Sequence, residues 1–378
     1  MDREPMKAEL ERLYQTKDLY IYGAGDVARE VGYCLSQAPF EKTIKAFIVT
    51  DVKKEPVKSV LDKPIIGIGE VDDIENDALI IVAVLEKYRD EILNSLQSLG
   101  RTNCLCLTYE SDLWTEVRKT WFLYHMDEQD MPVKELKDAL KSLEVNDVTK
   151  HNLTIYSAKS PFDRILNNCP ESKAWEKDIQ VGAALVEERV SAITDFDGDN
   201  ISLKNKQYNE MTALYWLWKH AKDDYIGLCH YRRKFDLTEA DVNKICDSVI
   251  DVIITAPIIN IPDVKYMFGK NHVDSDWDVF GDAVKAISPE YIEDYHRLGD
   301  GILYVPYNMV IMKRKVLCAY CEWAFRVFQY VEDHTPKREE DTYQRRNIGF
   351  LSERVMTVWL LHHWKELNIA IADKSFYE

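Results

Sequence analysis

Residues 223–235 read DDYIGLCHYRRKF, an apolar run that passes directly into a cluster of cations. The apolar part, residues 225–229, predicts a short β-strand that is covered on both faces of a sheet. Ligands of open α/β sheets bind just beyond the carboxyl ends of such strands. His230, Arg232 and Arg233 stand at that position, and an arginine fork matches two phosphate oxygens at once. The stretch therefore predicts an anion site at one edge of an α/β sheet.

The composition is that of a large globular protein with an acidic surface. The chain has 378 residues, 46% hydrophobic and 11% aromatic, which excludes a disordered chain and a disulfide-stapled miniprotein. Its net charge of −17 disfavours binding to nucleic acid, so no nucleic-acid partner is expected, although a local basic pocket stays compatible with that charge. The alternative interpretation of residues 230–234 is a solvated basic turn that pairs with Asp223, Asp224 and Asp236.

Cysteine usage and apolar runs indicate the compartment. The eight cysteines include several inside apolar runs, as buried free thiols do, and the charged N-terminus MDREPMKAELERL lacks the pattern of a secretory signal. We therefore expect a reducing, cytoplasmic setting. The longest apolar run, residues 78–85, is far shorter than the roughly 20 residues that span a bilayer. We expect no transmembrane segment, and any membrane contact would be peripheral, at the inner face of the membrane.

Strand and helix patterns divide the chain into two α/β units. Residues 1–110 alternate short apolar strands with helices and predict a small, Rossmann-like parallel sheet. Residues 111–150 have helical spacing and acidic flanks, and they predict a helical connector. A second α/β unit is expected over residues 151–378, with strands over 153–156, 249–255 and 302–312 and with helices over 208–218, 316–330 and 351–364.

A glycine turn follows the first strand of the N-terminal unit. Gly23 and Gly25 stand in a G-x-G-x-x-A pattern between a strand and a helix, where backbone N–H groups can approach a pyrophosphate. Asp51 ends the next strand, about where a ribose-binding acid belongs. This pattern predicts a nucleotide site, with NAD(P) as its cofactor. The alternative is that the glycines serve only helix–strand packing, since many modules of this kind bind no dinucleotide.

Two acidic motifs are further candidates. The stretch DFDGDN, residues 195–200, resembles a calcium loop but departs from the EF-hand pattern, because Asn200 replaces the glycine and Lys206 the final glutamate. Its polar residues predict either helix capping or contacts to a ribose or divalent ion, with Asp197 and Asp199 as the metal ligands if a metal binds. Glu353 lies near the start of an apolar helix, where the helix dipole alone favours a carboxylate.

The second unit resembles the DUF4422 family of bacterial capsular and exopolysaccharide glycosyltransferases. The matching stretches are GDNISLKNKQYNEMTALYWLWKH (198–220), DDYIGLCHYRRKF (223–235), YNMVIMKRKVLCAYCEWAF (307–325) and GFLSERVMTVWL (349–360). The resemblance implies a GT-A-like fold and a hexosyltransferase. It implies transfer of galactose or galactofuranose from a UDP-sugar donor to a growing, lipid-linked saccharide acceptor. The HYRR segment stands where most GT-A enzymes carry a metal-binding D-x-D, which leaves open whether Mn²⁺ or Mg²⁺ takes part.

The resemblance and the residue chemistry together predict one pocket. Its donor-binding residues would be Tyr156, Ser157, Lys159, Asp199, Asn200, Ser202, Asn205, Glu210, His230, Tyr231, Arg232 and Arg233. The cations would face the diphosphate and stabilise the leaving group, the role that a metal plays elsewhere. An inverting transfer also needs a base for the acceptor hydroxyl, and the candidates, in order, are Glu353, Asp276 and His272, the last two in a polar loop between strands.

Two other hypotheses remain open at this stage. One is an NAD(P)-dependent sugar-modifying enzyme centred on Gly23, Gly25 and Asp51, in which the second unit presents the substrate. The other makes the N-terminal unit an interaction scaffold that docks a transferase onto other polysaccharide-assembly proteins.

Overall fold

The computed structural model describes residues 4–75, 77–129, 131, 133–143, 152–166 and 169–377. The chain splits into two compact units, Met1–Asp130 and Met131–Glu378. Both are mixed α/β structures with parallel strands, so the predicted fold class is confirmed. All eight cysteines are free thiols. Among the described helices, none combines the length and apolar character needed to cross a membrane.

The first unit is built around a six-stranded sheet. Its elements are α1 (Glu4–Gln15), β1 (Asp18–Tyr22), α2 (Asp26–Ser36), β2 (Thr43–Val49), β3 (Ser59–Val60), β4 (Lys63–Gly67), β5 (Leu79–Val82), α3 (Glu86–Ser98), β6 (Cys104–Cys106) and α4 (Asp112–Glu128). The strand order is β3-β4-β2-β1-β5-β6, parallel except for the β3–β4 pair. Apolar side chains of β1, β2 and β5 pack against α3 on one face, while α2 contacts β1 and β2.

The glycine turn has a packing role in this unit. Gly23 lies directly after β1 with φ of +125°, and its N–H donates to the Ile48 carbonyl oxygen at 2.8 Å. A Cβ at this position would stand 2.4 Å from the Ala83 carbonyl oxygen, which no side chain tolerates. Gly25 forms the N-cap of α2 with an ordinary φ of −82° and open space around it. The close approach of strand and turn therefore explains Gly23 but not Gly25.

The second unit holds a larger mixed sheet. Its elements are β7 (Lys134–Glu135), α5 (Leu136–Leu140), β8 (Leu153–Lys159), β9 (Glu176–Gln180), β10 (Ile193–Thr194), α6 (Asn205–Tyr208), α7 (Met211–His220), β11 (Tyr225–His230), β12 (Arg233–Phe235), α8 (Glu239–Cys246), β13 (Val252–Ile254), β14 (Ile258–Ile259), α9 (Val264–Asn271), α10 (Ser275–Ile287), α11 (Ile292–Asp300), β15 (Leu303–Tyr304), β16 (Val310–Lys313), α12 (Arg314–His334), α13 (Asn347–His363), β17 (Ile369–Ile371) and β18 (Lys374–Phe376).

The strand directions of this sheet bring the ends of several strands to one edge. The order is β10-β9-β8-β11-β16-β13-β17-β7, with β12 linking β11 to β18. Strands β8, β9, β10 and β11 run parallel, whereas β16 runs antiparallel to both β11 and β13. The amino end of β16 therefore lies beside the carboxyl ends of β8 and β11. Helices α5 and α8 cover one face through an apolar cluster, while α12 contacts β11 and β16.

The predicted central strand is confirmed, because Tyr225–His230 forms β11 with five buried residues and then one partly buried residue. Three other predictions are wrong in detail. The strand expected over 302–312 is two strands, β15 and β16, separated by a loop. The helix expected over 208–218 breaks at Asn209, which has φ of +50°. The polar loop expected around His272 and Asp276 is a helix junction, because Trp277, Phe280 and Val284 bury one face of α10.

The segment expected as a connector is only partly described. Residues 112–128 form α4, which packs on α1 and α2 of the first unit. Residues 134–140 form β7 and α5 of the second unit, and residues 144–150 lie outside the described part of the chain. The domain limits drawn from the sequence therefore stay predictions.

Candidate functional site

His230 ends β11 and points to the loop that precedes β16. Its Nε2 atom lies 2.5 Å from the carbonyl oxygen of Tyr307. Because a carbonyl oxygen can only accept, Nε2 carries the hydrogen of this bond. The imidazole is partly exposed, with 23% of the side chain open to solvent. The bond ties the end of the predicted basic strand to a loop 77 residues further along the chain.

The loop itself has a constrained backbone. Tyr307 and Asn308 have φ values of +69° and +50°, in the left-handed region that non-glycine residues enter at a cost of about 1–3 kcal/mol. Asparagine tolerates this region better than most residues. Strained backbone of this kind persists where surrounding contacts over-determine it, and it clusters at functional sites. The strain is a reason to look for function at this loop.

Two carboxylates hold the same loop. Asn308 Nδ2 donates to Oε1 of Glu210 at 2.6 Å, and the same oxygen is 3.7 Å from His230 Nε2. The backbone N–H of Tyr307 donates to Oε1 of Glu353 at 2.5 Å. Glu210 precedes α7, and Glu353 lies in the second turn of α13. The loop therefore brings together three groups that are far apart in sequence, and we call Glu210, His230 and Glu353 the acid–histidine cluster.

Glu353 has the environment of a tuned acid or base. Its second oxygen pairs with Arg354 Nη1 at 2.5 Å, and the Arg354 side chain is only 7% exposed. Burial raises the pKa of Glu353, and the negative charge of Glu210 raises it further. The charges of Arg354 and His230 and the Tyr307 N–H act in the opposite direction. A carboxylate whose pKa is raised accepts a proton more readily.

A rim of cations adjoins the cluster. Burial raises the pKa of Asp163, and the nearby charges of His230, Lys159 and Arg232 partly oppose that shift. Asp163 also accepts the Ser160 N–H at 2.7 Å. Two cations and a histidine that act on one carboxylate at a strand end form an arrangement able to bind a larger anion. We call Lys159, His230 and Arg232 the cation rim.

Arg232 and Arg233 both lie against the ring of Phe376, and Arg233 also lies against that of Tyr307. The guanidinium of Arg232 lies 4.7 Å from the ring centre of Phe376. Arg233 lies in β12, and its guanidinium lies 4.6 Å from the ring centre of Tyr307 and 5.0 Å from that of Phe376. Arg233 thus supports the strained loop from one side, and Tyr231 lies in the turn between β11 and β12.

The chain matches one protein family, and its fold is similar to that of a solved structure. The family described as a domain of unknown function, DUF4422, matches residues 167–364, which is more than half of the 378 residues. The chain belongs to the DUF4422 family. None of the curated proteins matches it. Its fold is similar to the apo structure of WbbM, a bifunctional glycosyltransferase, with a TM-score of 0.53 and 23% identity over 59% of this chain. The match spans 45% of the WbbM chain, so less than half of that protein corresponds to this one.

Some predicted donor contacts of this DUF4422 chain are buried in the sheet. Tyr156 is 5% exposed, and burial raises its pKa to about 12. Ser157 is 3% exposed and lies opposite Cys229 in the β8–β11 register. Lys159, at the strand end, is partly exposed and pairs with Asp178 at 2.7 Å. Donor contacts at Tyr156 and Ser157 do not fit, because these side chains are covered within the sheet, whereas the contact at Lys159 stays a prediction.

Other predicted contacts belong to a buried network around Asp195. This carboxylate accepts the N–H groups of Gly182 and Ala183 and the hydroxyls of Ser202 and Thr212, at 2.5–3.0 Å. Asn205 donates to the Thr212 hydroxyl at 3.0 Å. Ser202 is completely buried, so its expected role as a donor ligand is corrected to a structural one. The network shapes the turn after β9.

The acidic loop before α6 is exposed and stabilises itself. Asn200 donates to the carbonyl oxygens of Phe196 and Gly198 at 2.7 and 2.8 Å. Asp199 accepts the Tyr215 hydroxyl at 3.0 Å. Asp197 lies 3.4 Å from the Thr194 hydroxyl. Within the described residues, no group of three or more metal-binding side chains assembles, so Asp197 and Asp199 do not fit a ready metal site.

The two alternative bases lie in different surroundings. Asp276 is 2% exposed, and both its oxygens bind Arg338 at 2.6 and 2.7 Å. This bidentate pair makes Asp276 a structural acid rather than an available base. His272 stacks on Phe350 with ring centres 4.0 Å apart. Burial lowers the pKa of His272 to about 4, and the charges of Arg354 and Arg346 contribute. The ring is therefore neutral near pH 7, and its basicity is low.

The residues predicted to bind a nucleotide, Gly23, Gly25 and Asp51, lie in the first unit. Asp51 caps a short 3-10 helix, where its carboxylate accepts the Lys53 N–H at 3.0 Å. Its side chain is 41% exposed. Cofactor binding at Gly23, Gly25 and Asp51 stays a prediction.

Sequence reasoning missed several members of the site. Tyr307, Asn308 and Arg354 lie in stretches that carry the family resemblance but were given no role, and Asp163 lies outside those stretches. Asn308 follows an aromatic residue shortly before a strand, and an asparagine before a strand is a weak signal for a left-handed turn. Arg354 is adjacent to Glu353 in sequence, and an acid–base neighbour pair on a buried helix is the signal that could have found it.

Proposed function

We propose that this chain is a glycosyltransferase of the hexosyl-transferring class, which moves galactose or galactofuranose from a UDP-sugar to a growing capsular or exopolysaccharide acceptor. The observation that carries the proposal is the acid–histidine cluster beside the cation rim at the carboxyl edge of the sheet. Membership of DUF4422 and the fold shared with a glycosyltransferase are consistent with it. A GT-A-like arrangement of the second unit is part of the proposal.

The cation rim is proposed to hold the donor diphosphate. Lys159, His230 and Arg232 all act on the Asp163 carboxylate in the direction that favours its charged form, and Lys159 also pairs with Asp178 at 2.7 Å. Their field favours an anion at this strand end. A diphosphate carries more negative charge than a carboxylate and presents oxygens in pairs, which suits the guanidinium of Arg232. As the bond between the sugar and the diphosphate breaks, negative charge grows on the leaving oxygen, and these cations stabilise it.

Glu353 is proposed as the base. It takes the proton of the acceptor hydroxyl while that oxygen attacks the anomeric carbon, and the bonding pair leaves with the diphosphate. The sugar carbon passes through an oxocarbenium-like state, as in other glycosyl chemistry. The Tyr307 N–H and Arg354 hold the carboxylate in one orientation.

Glu210 and His230 contribute charge to the site, and they also hold the loop that contains Tyr307 and Asn308. The Glu210 contact to Asn308 and the His230 contact to the Tyr307 carbonyl keep the left-handed backbone in place. That backbone aims the Tyr307 N–H at Glu353. Loss of either contact should therefore misplace the base.

Donor binding tests the proposal directly. A thermal-shift panel would contain UDP, UDP-galactose, UDP-galactofuranose, UDP-glucose, GDP-mannose, NAD and NADP, each with and without Mn²⁺ or Mg²⁺. A ligand at 100 times its Kd stabilises the native state by about 2.7 kcal/mol, which is a readily measured shift. We expect a shift with one UDP-sugar. A shift with NAD or NADP alone would contradict the proposal and move the chemistry to Gly23 and Gly25.

Three variants, one of them a control, locate the binding. Arg232→Ala should weaken UDP binding at least tenfold, whereas Arg326→Ala, which removes an exposed arginine on α12, should not change it. Asp163→Asn removes the competing carboxylate from the cation rim and should tighten UDP binding severalfold. Equal UDP affinities in all three variants would refute the placement of the diphosphate.

A further inference from the structure

A second basic groove lies at the α6–α13 contact. Its walls are the segment around α6 and the connection between α12 and α13. Gln207 Nε2 donates to Asn347 Oδ1 at 2.9 Å and joins the two walls. Five cations line the groove, namely Lys204, Lys206, Lys337, Arg338 and Arg345. No part of the function proposed above uses them.

The charges of this groove are not balanced. Glu332 and Glu339 also line it, and Asp276 stands behind Arg338, so five cations face three carboxylates and leave a surplus of two positive charges. Lys204 is neutralised by Glu332 at 2.5 Å, and Arg338 by Asp276. Such a surplus is unexpected in a chain with net charge −17. It complements an anion with about two negative charges.

Three of the cations are available to such an anion. In the part of the chain that the structure describes, Lys206, Lys337 and Arg345 have no acidic partner, and Lys206 and Lys337 are exposed. The Nε–H of Arg345 is buried and has no hydrogen-bond partner among the described residues. A buried guanidinium donor with no acceptor is costly, and a phosphoryl oxygen would satisfy it.

The groove adjoins the proposed active site along the same two walls. Glu210 comes three residues after Gln207, and Glu353 comes six residues after Asn347 in α13, a rise of about 9 Å along the helix. Arg346 also donates to Asn209 Oδ1 at 3.2 Å, between the two sites. An anion in the groove would therefore lie within reach of a saccharide that enters the cluster.

From these observations we infer that the groove binds a diphosphate group carried by the acceptor, distinct from the diphosphate of the donor. Only the assignment to the acceptor rests on the proposed transferase function; the binding of a diphosphate does not. Leu203, 69% exposed, forms one apolar edge of the groove, beside which a lipid chain attached to the diphosphate could lie.

Titration calorimetry on the full chain tests this inference with inorganic pyrophosphate and geranyl diphosphate, each titrated in the presence of saturating UDP so that the cation rim is already occupied, and with UDP titrated alone. The double variant Lys206→Ala/Arg345→Ala should weaken pyrophosphate binding at least tenfold and leave UDP binding unchanged. The matched control, Lys265→Ala/Lys285→Ala, removes two lysines from a different surface groove and should leave both unchanged. Arg345→Lys keeps the charge but loses the planar fork, and it should fall between the wild type and the double variant.

The outcomes separate the two proposals. Pyrophosphate affinity that survives the double variant overturns the groove as a diphosphate site. Loss of UDP together with pyrophosphate overturns the assignment to the acceptor, because one site would then serve the donor. Failure of the Arg232→Ala test, with the groove result intact, would instead count against the donor placement alone. Tighter binding of geranyl diphosphate than of pyrophosphate would support a lipid-linked source, and equal affinities would support recognition of the diphosphate by itself.

Discussion

Replacing Glu353 by glutamine is the sharpest perturbation of the proposed chemistry. Glutamine has nearly the same shape, and its carbonyl oxygen can still accept the Tyr307 N–H that now binds Glu353 at 2.5 Å. It cannot take a proton from an acceptor hydroxyl, and it cannot neutralise Arg354. The variant therefore removes the base and the ion pair while it keeps the loop contact.

The expected magnitudes follow from these contacts. A positioned general base contributes roughly 10²–10⁴-fold, so kcat should fall by that factor, which corresponds to about 2.7–5.5 kcal/mol in the barrier. Loss of the charged hydrogen bond to Arg354, whose side chain is 7% exposed, should cost about 1.5–3 kcal/mol of stability. For a unit of this size, each kcal/mol lowers Tm by about 2–4 °C, so a fall of roughly 3–12 °C is expected.

The assay is release of UDP in the presence of acceptor, followed against pH, together with UDP affinity. UDP binding should change little, because Glu353 is not in the cation rim. In the wild type, the acid limb of kcat/KM should lie above the ordinary glutamate range near 4.3, since burial raises the pKa of Glu353. The control is Glu366→Gln, an exposed carboxylate just beyond α13, which should leave kcat unchanged. A Glu353→Gln enzyme whose kcat stays within about threefold of the wild type would refute the assignment of the base.

Three further predictions concern stability. Burial raises the pKa of Glu30 to about 8, so its contribution to stability is present below pH 4.5 and is lost as the pH rises towards 8. Glu30→Gln should therefore raise the free energy of unfolding at pH 8 by a few kcal/mol more than it does at pH 5, on the order of that pKa shift. A lower free energy of unfolding in urea at pH 8 for the variant than for the wild type would contradict this. For His272 the pKa is lowered to about 4, so stability is lost as the pH falls from 6.5 through 4, and His272→Phe should remove that loss. The same variant should keep transfer activity at pH 7, whereas a large loss would make His272 the base. Gly23→Ala should destabilise the first unit by more than about 1 kcal/mol in thermal unfolding, and Gly25→Ala by less, because only the first meets a carbonyl oxygen at 2.4 Å. Equal effects of the two would contradict the packing explanation.

The predictions that held depend on local patterns. The β-strand at 225–230 follows from an unbroken apolar run, and the turn at Gly23 follows from the need to pass close to a neighbouring strand. The predicted strand over 302–312 failed at the Tyr307–Asn308 turn, because its left-handed backbone is stabilised by Glu210 and Glu353, which are distant in sequence. Local propensity contains no information about those partners.

Side-chain partners were the least predictable property. Ser202 was expected to contact a ligand, but its hydroxyl binds the buried Asp195. Asp276 was expected to act as a base, but it forms a bidentate pair with Arg338, 62 residues away. In both cases the residue type indicates a polar partner, while only the packing of distant elements determines which partner it meets.

The sequence by itself determined the α/β class of both units and the position of cations at the end of a buried strand, because strand burial, helix periodicity and strand-end placement are properties of short segments. Only the tertiary structure decided that His230, Glu210 and Glu353 converge on one loop, and that Lys206 and Arg345 line a separate groove. The physical reason is that each cluster includes residues from distant parts of the chain, such as Glu210 with Glu353 and Lys206 with Arg345. The approach of their helices and loops is set by core packing and not by the residues that form the site.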